Sequence, residues 1–242
     1  MRLVLFADGF VGNKIASFLI DNYPEDLLLV VCLTKNNIFR YAKEKNIPVC
    51  DYDKEKKILN ELNCDLGVLA WWPKIIKEPL LSLPNLGFIN THPSLLPYNR
   101  GKHYNFWALV EEAPFGVTLH FVDSGIDTGD IIFQMPINYD WRDTGETLYK
   151  KAQAEMVRLF VDNYHLIRVG NYKRRVQDIK SGSYHHSSKL NKICEIKLKK
   201  KYQARKILNL LRARTFKGHP GCFFEEKGIK YEISLTIKKK VN

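Results

Sequence analysis

The chain has 242 residues, of which 45% are apolar and 26% are charged, an ordinary balance for a soluble globular protein. This length suits one large domain, or one domain with a smaller appendage. Because no run of about 18 apolar residues occurs, we expect no membrane-spanning helix, and the first ten residues read as a strand rather than a signal peptide.

Five cysteines are scattered along the chain, and none of them forms a C-x-x-C pair. This spacing argues against a structural zinc site, so we expect no bound metal. Three of the cysteines border apolar runs, where a reduced thiol packs as a small core residue. The pattern predicts a reduced, cytoplasmic protein with no membrane partner.

The net charge of +12 is unevenly distributed. Residues 172–242 hold 20 Lys and Arg against 5 Asp and Glu, a balance of +15, so the rest of the chain carries −3. A basic tail fits an acidic partner such as a nucleic acid, a nucleotide or an acidic surface. A solvated basic face explains it equally well.

The first half of the chain alternates short apolar runs with amphipathic segments. Strands are predicted at LVLFA, LLLVVCL, IPVCDY, DLGVLAWW and LGFINTH, with helices at residues 12–21, NIFRYAKEKN and KEKKILNEL. This alternation predicts an α/β fold with a Rossmann-like, mostly parallel sheet flanked by helices. The continuous apolar runs fit strands that are buried on both faces.

Two further strands, FGVTLHFV and GDIIFQMPI, follow without room for a helix between them, which predicts a hairpin-type addition to the same sheet. Apolar residues from Gly145 to about Arg168 fall at helical spacing and predict one long helix, which Thr144 can cap. We therefore place a catalytic core in residues 1–170.

Residues 171–242 form a predicted basic extension. KSGSYHHSSKLNK is typical of a loop, KYQARKILNLLRA of a short helix, and GCFFEEKGIKYEISLTIK of a β-hairpin. Because an isolated hairpin is only marginally stable, we expect it to pair with a second chain in a homodimer or to help bind substrate.

The stretch GFINTHPSLLP places Asn90 and His92 at the end of a predicted strand. Side chains two residues apart share a face, and Pro93 favours an extended backbone at His92. Ligands of open α/β sheets bind at this edge, where an imidazole can act as acid or base and an amide can donate to an oxyanion. Alone, the pair is better explained by a capping Asn and a structural His.

The stretch VTLHFVDSGIDTGDIIFQ adds Asp123, Asp127 and Asp130, in a loop whose glycines permit tight turns. A carboxylate folded against His92 would fix the tautomer of its imidazole and stabilise the protonated ring. The spacing does not fit an EF-hand calcium loop, because the distal bidentate Glu is missing.

Together, NTHPSLLP and HFVDSGIDTGD resemble the motifs of the formyltransferases that use 10-formyltetrahydrofolate, over about residues 1–166. The resemblance implies a catalytic trio of Asn90, His92 and Asp127, with Asp123 and Asp130 structural or folate-lining. An amine would attack the formyl carbon of the folate, Asn90 and protonated His92 would stabilise the oxyanion, and His92 with Asp127 would move a proton to the departing folate nitrogen. The resemblance requires no metal.

The same resemblance implies where the folate lies. The matching positions are Trp72, Pro73, Lys74, Ile75 and Ile76 on one wall, and Ser124, Gly125 and Ile126 on the other. Two adjacent tryptophans, Trp71 and Trp72, fit a ligand slot, although core packing explains either one taken singly.

Members of this family differ in the amine they formylate: initiator methionyl-tRNA, glycinamide ribonucleotide, a nucleotide-linked amino sugar, or water in the hydrolases. The segment ADGFVGNKIA is less glycine-rich than the phosphate loop of the glycinamide ribonucleotide enzymes. We expect neither the N-terminal regulatory domain of the hydrolases nor the full C-terminal barrel of the tRNA enzymes.

The segment NLLRARTFKGHPGCFFEEKGIKYEI is similar to the C-terminal part of the short sugar N-formyltransferases, which serve O-antigen and lipopolysaccharide synthesis. This similarity implies a dTDP-linked 4-amino-4,6-dideoxy sugar as acceptor, with dTDP-4-amino-4,6-dideoxyglucose as the leading candidate. The residues expected near the sugar nucleotide are Lys77, Arg100, Lys102, His103, Arg212 and Arg214. Guanidinium groups match a diphosphate in bidentate geometry, although a solvated basic face explains each residue singly.

Two alternatives stay open. A compact methionyl-tRNA formyltransferase would use the basic tail for phosphate contacts, and a non-catalytic nucleic-acid-binding module would use it for binding alone. Because the tail lacks alternating aromatic and basic residues, a nucleic acid is not the expected partner.

Overall fold

The computed structural model describes residues 1–59 and 62–240, and its elements follow the predicted order. The strands are β1 (Leu3–Ala7), β2 (Leu27–Cys32), β3 (Val49–Asp51), β4 (Leu66–Ala70), β5 (Phe88–His92), β6 (Arg100–Gly101), β7 (Gly116–Phe121), β8 (Ile131–Pro136), β9 (Tyr184–His185), β10 (Cys222–Glu226) and β11 (Ile229–Ile233). The α-helices are α1 (Gly9–Asn22), α2 (Asn37–Glu44), α3 (Lys56–Leu59), α4 (Tyr104–Glu111), α5 (Gly145–Arg168), α6 (Lys189–Ile193) and α7 (Ala204–Arg214).

Seven strands form one sheet in the order β3-β2-β1-β4-β5-β7-β8. The pairs β2–β3, β1–β2, β1–β4 and β4–β5 are parallel, and β5 pairs with β7 in the antiparallel sense. Every residue of β1 and of β4 is buried, as expected of central strands covered on both faces. The predicted mostly parallel α/β architecture is confirmed.

Helix α1 begins at Gly9, three residues earlier than the periodicity predicts. A Cβ atom at Gly12 would lie 2.8 Å from the carbonyl oxygen of Ala70, so glycine lets the first turn approach the strand ends closely. Of the predicted helix KEKKILNEL, the structure describes Lys56–Leu59 as helical, and residues 60 and 61 lie outside the described residues.

The predicted hairpin near the C-terminus is confirmed as β10 and β11. Lys227 and Gly228 connect them with φ angles of +52° and +77°, the combination that matches the twist of a two-residue hairpin turn. The loop predicted for KSGSYHHSSKLNK is wrong in part, because β9 pairs with β6 there and α6 begins at Lys189. The segment is polar and basic, so it offers too few apolar residues for periodicity to indicate these two short elements.

Helix α5 spans Gly145–Arg168, as predicted. At its start the backbone N–H of Thr147 donates to Thr144 Oγ1 (3.3 Å), and the Thr144 N–H donates to Thr147 Oγ1 (2.8 Å). This reciprocal exchange satisfies donors that a helix start otherwise leaves unpaired. Among the described helices, none combines the length and the apolar character needed to cross a bilayer.

The chain divides into two compact units. The first comprises residues 1–92, 118–134 and 153–177, and the second comprises residues 93–117, 135–152 and 178–242. Our assignment of residues 1–170 as the catalytic core stays a proposal about function.

A buried carboxylate stabilises the first unit. Asp26 is 1% exposed and accepts hydrogen bonds from Tyr164 Oη (2.8 Å), from Arg168 Nε (2.6 Å) and from the N-terminal ammonium group (3.3 Å). Burial alone would raise the pKa of Asp26, but the hydrogen bonds from Arg168, Tyr164 and the N-terminus outweigh it and hold the pKa below 3.8.

We predict that Asp26→Asn lowers the free energy of unfolding at pH 7 by about 2–3 kcal/mol, because it removes charge-assisted hydrogen bonds to a buried group. Since the folded-state pKa is depressed, this stabilisation is fully present above the unfolded-state value of 3.8 and is lost as the pH falls through the folded-state value. Urea unfolding of both proteins between pH 7 and pH 3 measures the difference, which should shrink in acid.

Glu25→Gln is the matched control, because Glu25 is 59% exposed and pairs with the same Arg168 at 3.0 Å. An exposed pair contributes about 0–1 kcal/mol. Equal losses in the two variants would contradict the importance of burial at Asp26.

Candidate active site

The pairing of β5 with β7 assembles a polar face on the sheet. Asn90 lies opposite His120, and His92 lies opposite Thr118. Directly opposed residues of an antiparallel pair share a face, as do residues two apart on one strand. The four side chains therefore project from the same side. Three of them, those of His92, Thr118 and His120, are at most 5% exposed.

His120 fixes the orientation of Asn90. Its Nδ1 atom lies 2.7 Å from the carbonyl oxygen of Phe121, so Nδ1 carries the proton and donates it. Nε2 is then an acceptor, and it receives a hydrogen bond from Asn90 Nδ2 at 3.2 Å. These assignments follow from the hydrogen-bond network. One N–H of Asn90 is thus used by His120, and the other can be donated to a ligand.

The neutral form of His120 is also favoured electrostatically. Burial, together with the charge that His92 can carry, lowers the pKa of His120 to about 4. The ring therefore stays uncharged near neutral pH and keeps the lone pair that holds Asn90. This residue was missed by the sequence analysis, although pairing the quoted strands GFINTH and FGVTLHFV in register would have placed it opposite Asn90.

Asp127 completes the cluster. Its Oδ1 atom lies 3.4 Å from His92 Nδ1 and 3.8 Å from His120 Nε2, and its side chain is 15% exposed. The carboxylate is therefore close enough to His92 to stabilise a protonated imidazole and to orient the ring. The structure thus brings together all three residues of the predicted catalytic trio.

The loop that carries Asp127 is shaped by Asp123. Asp123 Oδ1 accepts hydrogen bonds from the Gly125 N–H (3.0 Å) and from Thr128 Oγ1 (2.6 Å), which closes a turn. A Cβ atom at Gly129 would lie 2.0 Å from the Phe121 carbonyl oxygen, so only glycine fits. Asp123 therefore has a structural role in this loop.

His92, His120 and Asp127 are also the kinds of ligand that bind divalent cations. Their ligand atoms lie within 4.8 Å of one another. In this arrangement the Nε2 lone pair of His120 already accepts from Asn90, so a cation would have to displace that hydrogen bond. The geometry as it stands suits proton transfer and oxyanion binding.

The segment after β4 divides into buried and exposed positions. Trp72 and Ile76 are 8% and 5% exposed and belong to the apolar core, where the ring of Trp72 packs edge-on against Phe6 with centroids 5.3 Å apart. Pro73 is exposed and Ile75 is 71% exposed. Core packing therefore accounts for two of the five positions predicted to line the folate.

The strand end before this segment is held by Thr91. The backbone N–H of Trp71 donates to Thr91 Oγ1 (2.8 Å), which donates in turn to the Leu69 carbonyl oxygen (3.0 Å). Lys74 pairs with Asp53, with both oxygens 2.7 Å from Nζ. On the other predicted wall, Ser124 and Gly125 are exposed, and Ile126 is 45% exposed.

The predicted sugar-nucleotide residues fall in both units: Lys77 is exposed in the first, and the remaining five lie in the second. Arg212 is 4% exposed, and its guanidinium donates to Asn209 Oδ1 (2.9 Å) and to the Asp140 carbonyl oxygen (2.6 Å). These partners favour a structural role for Arg212.

Three other predicted residues form a cationic cluster in the second unit. Burial lowers the pKa of His103, and the proximity of Arg214, Lys102 and His219 lowers it further. The Nε atom of Arg214 is buried without a hydrogen-bond partner among the residues that the structure describes, and so is that of Arg100. Such a cluster is suited to an anionic ligand.

Similarity to known proteins extends over most of the chain. Residues 189–239 match the N-formyltransferase dimerization C-terminal domain. The methionyl-tRNA formyltransferase of Thermodesulfovibrio yellowstonii is 33% identical over 181 residues, which cover 72% of this chain and 58% of that protein. The chain therefore spans little more than half the length of this relative.

Two solved structures are similar over most of their length. A 4-N formyltransferase from Francisella tularensis superposes with a TM-score of 0.82 at 25% identity, covering 99% of this chain and 98% of that one. The formyltransferase PseJ from Anoxybacillus kamchatkensis, solved with UDP-4,6-dideoxy-4-formamido-L-AltNAc and tetrahydrofolate, is 28% identical with a TM-score of 0.59, covering 80% and 89%.

The family model for formyl transferases matches residues 31–163, more than half of the chain and a range that contains Asn90, His92, His120 and Asp127. The resemblance that NTHPSLLP and HFVDSGIDTGD carry is thereby confirmed, and the chain belongs to the formyl transferase family.

Proposed function

We propose that this chain is a sugar N-formyltransferase. It moves a formyl group from 10-formyltetrahydrofolate to the 4-amino group of a dTDP-linked 4-amino-4,6-dideoxy sugar, with dTDP-4-amino-4,6-dideoxyglucose as the leading candidate. The observation that carries the proposal is the arrangement of Asn90, His92 and Asp127 around His120. Asn90 lies 3.2 Å from His120, and Asp127 lies 3.4 Å from His92 and 3.8 Å from His120. The UDP-linked 4-formamido sugar bound to the related PseJ supports a sugar substrate.

In the proposed mechanism the sugar amine attacks the formyl carbon, and a tetrahedral oxyanion forms. The second N–H of Asn90, already oriented by His120, donates to this oxygen together with protonated His92. One such preorganised donor lowers the barrier by about 3–4 kcal/mol. His92 then delivers a proton to the departing folate nitrogen as the bond between that nitrogen and the formyl carbon breaks. The attacking amine loses one proton, which returns to His92, and Asp127 stabilises the charged ring during both transfers.

The folate is proposed to use the exposed apolar side chains of Ile75 and Ile126, which lie in the two segments predicted to line it. Burying such side chains against a pterin would recover the free energy that their exposure costs. The tetrahydrofolate bound to the related PseJ supports a folate as the formyl donor.

The diphosphate of the sugar nucleotide is proposed to bind the cationic cluster of Lys102, His103 and Arg214. An anion there would supply a partner for the buried Arg214 Nε and would counter the burial and the neighbouring positive charges that lower the pKa of His103. The 4-N activity of the Francisella protein and the UDP-linked 4-formamido sugar bound to PseJ support an acceptor of this class. The product is proposed to serve O-antigen synthesis.

A methionyl-tRNA formyltransferase is the second candidate, favoured by the 33% identity to the enzyme of Thermodesulfovibrio yellowstonii. The catalytic chemistry would be the same, so only the acceptor separates the two hypotheses. Binding of tRNA through the basic tail would weaken steeply with salt.

The deciding assay offers the purified protein 10-formyltetrahydrofolate with dTDP-4-amino-4,6-dideoxyglucose, with a UDP-linked 4-amino sugar, or with methionyl-tRNA. We expect tetrahydrofolate release, with the mass of one formyl group added to the dTDP sugar. Turnover on methionyl-tRNA alone, falling as salt is raised, would support the second candidate. Salt-sensitive RNA binding without any turnover would favour a binding module.

We predict that His92→Asn and Asp127→Asn each lower kcat by about 10²–10⁴-fold, the range expected for loss of acid–base catalysis. His165→Asn and Asp162→Asn, on exposed positions of α5, serve as controls and should keep normal rates. Thermal unfolding separates a catalytic effect from a folding defect. An unchanged rate in either active-site variant would remove that residue from the mechanism.

We predict that Arg214→Met raises KM for the sugar nucleotide by about 10–100-fold, because a charge-assisted hydrogen bond to phosphate contributes about 1.5–3 kcal/mol. KM for the folate should change little. Arg205→Met is the matched control on the same helix, since Arg205 is 62% exposed and pairs with Glu112 at 2.8 Å. Steady-state kinetics with each substrate varied in turn measures the effect, and equal KM values for the two variants would contradict the assignment.

The hairpin of β10 and β11 is proposed to pair with a second copy of the chain. Ile229 and Tyr231 share a face of β11 and are 55% and 44% exposed, an apolar patch that association would cover. The match of residues 189–239 to a dimerization domain supports this arrangement.

We predict that light scattering gives twice the chain mass of 28.2 kDa, and that the double variant Ile229→Lys, Tyr231→Lys gives the mass of one chain. Two charges on each copy would have to be desolvated in the interface. Val169→Lys, at a position 70% exposed just after α5, is the control and should stay dimeric. A monomeric wild-type protein would refute the proposal.

A further inference from the structure

The segment that follows α5 adds a bridge to the edge of the sheet. Arg175 and Ile131 exchange two backbone hydrogen bonds of 2.9 Å in an antiparallel bridge. The guanidinium of Arg175 also donates to Gln134 Oε1, and that of Arg174 lies 3.5 Å from the ring centroid of Phe121. These contacts anchor residues 174 and 175 beside the strand that begins just after the Asp127 loop.

Gln177, two residues further along, contacts the Asp127 loop itself. Its Nε2 atom donates to the carbonyl oxygen of Asp127 (3.0 Å) and to that of Gly129 (2.6 Å). Two carbonyl oxygens require a donor between them, so the amide nitrogen faces the loop. The side chain is 7% exposed, so water does not easily replace these bonds.

The loop needs such an anchor because its backbone is unusual. Asp127 has a φ of +54°, in the left-handed region that residues with a Cβ atom seldom adopt. The turn closed by Asp123 holds one side of the loop through Gly125 and Thr128. Gln177 holds the carbonyl oxygens on either side of Thr128, and a residue in a disfavoured conformation persists only where its surroundings fix it.

We propose that Gln177 is a positioning residue that keeps the Asp127 carboxylate beside His92 by binding the backbone of the Asp127 loop. The assignment rests on the proposed function, since it gives Gln177 a role only through Asp127. Gln177 touches neither reacting group directly. Without its two hydrogen bonds the loop relaxes, and the 3.4 Å contact between Asp127 and His92 is lost for part of the time.

The central test is a double-mutant cycle with Gln177→Met, which keeps the length of the side chain and removes both donors. We expect kcat to fall about 10–100-fold with KM for either substrate within about 3-fold, the pattern of an interaction that matters in the transition state. In the Asp127→Asn background the same substitution should cost less than about 2-fold, because residues acting as one unit are not additive.

Gln134→Met is the matched control. Gln134 Nε2 donates to Thr118 Oγ1 at 3.0 Å and Gln134 Oε1 accepts from Arg175, so the variant loosens the same segment without touching the Asp127 loop. Its kcat should stay within about 2-fold of wild type. Hydrogen exchange should quicken in residues 122–130 for Gln177→Met and stay unchanged there for Gln134→Met.

Gln177→Glu tests the donor role with a side chain of the same shape, should the methionine variant fold poorly. A carboxylate cannot donate to the two carbonyl oxygens, whereas a protonated carboxyl group can restore one bond. The ratio of wild-type kcat to variant kcat should therefore shrink as the pH falls from 8 to 6. A Gln177→Glu variant that turns over at the wild-type rate throughout this pH range would contradict the donor role.

The outcomes separate the two proposals. A normal rate for Asp127→Asn would overturn the catalytic trio and the role of Gln177 with it. A slow Asp127→Asn enzyme with a normal Gln177→Met rate would overturn only the positioning role. If the fold-losses in kcat from Gln177→Met and Asp127→Asn multiply in the double variant, Gln177 acts independently of Asp127. That result would also overturn the positioning role.

Discussion

The hydrogen bond from His120 Nδ1 to the Phe121 carbonyl oxygen is the constraint on which the site depends. It places the proton on Nδ1, which makes Nε2 an acceptor and forces Asn90 to present its amide nitrogen on that side. A protonated His120 would repel the N–H of Asn90 and compete with His92 for Asp127. Burial prevents this, because it lowers the pKa of His120 to about 4. The neighbouring imidazoles thus differ, since His120 stays neutral while His92 lies beside the carboxylate of Asp127.

This division of roles depends on where the single carboxylate lies. Asp127 Oδ1 is closer to His92 (3.4 Å) than to His120 (3.8 Å), and only His92 offers its Nδ1 atom to it. The conformation of the Asp127 loop therefore sets which imidazole lies nearer the carboxylate, and the hydrogen bonds of Asp123 and Gln177 hold that loop.

Sequence patterns predicted the elements that depend only on residues close together in the chain. The strand–helix alternation, the long α5 helix and the hairpin at Lys227–Gly228 all follow from periodicity and turn chemistry within a few residues. The pairing of Asn90 with His120 depends on the register of two strands that are about thirty residues apart, which composition alone does not reveal. Trp72 and Ile76 pack in the apolar core, and their role in lining the folate stays a prediction.

The proposed catalytic cluster does not itself identify the amine that would be formylated. Asn90, His92, His120 and Asp127 all lie within the residues matched by the general family model, and a methionyl-tRNA enzyme is similar over a large part of the same chain. Their chemistry handles a carbonyl carbon and a proton, and any primary amine can supply the nucleophile. Discrimination must then come from groups that recognise the rest of the acceptor. We propose that the Lys102, His103 and Arg214 cluster of the second unit supplies such groups, because burial and the neighbouring charges of Arg214 and Lys102 lower the pKa of His103 and a bound anion would counter this effect. Affinity for a diphosphate would thus be created by charges that are unfavourable in the free protein, and it can change between family members without disturbing the catalytic residues.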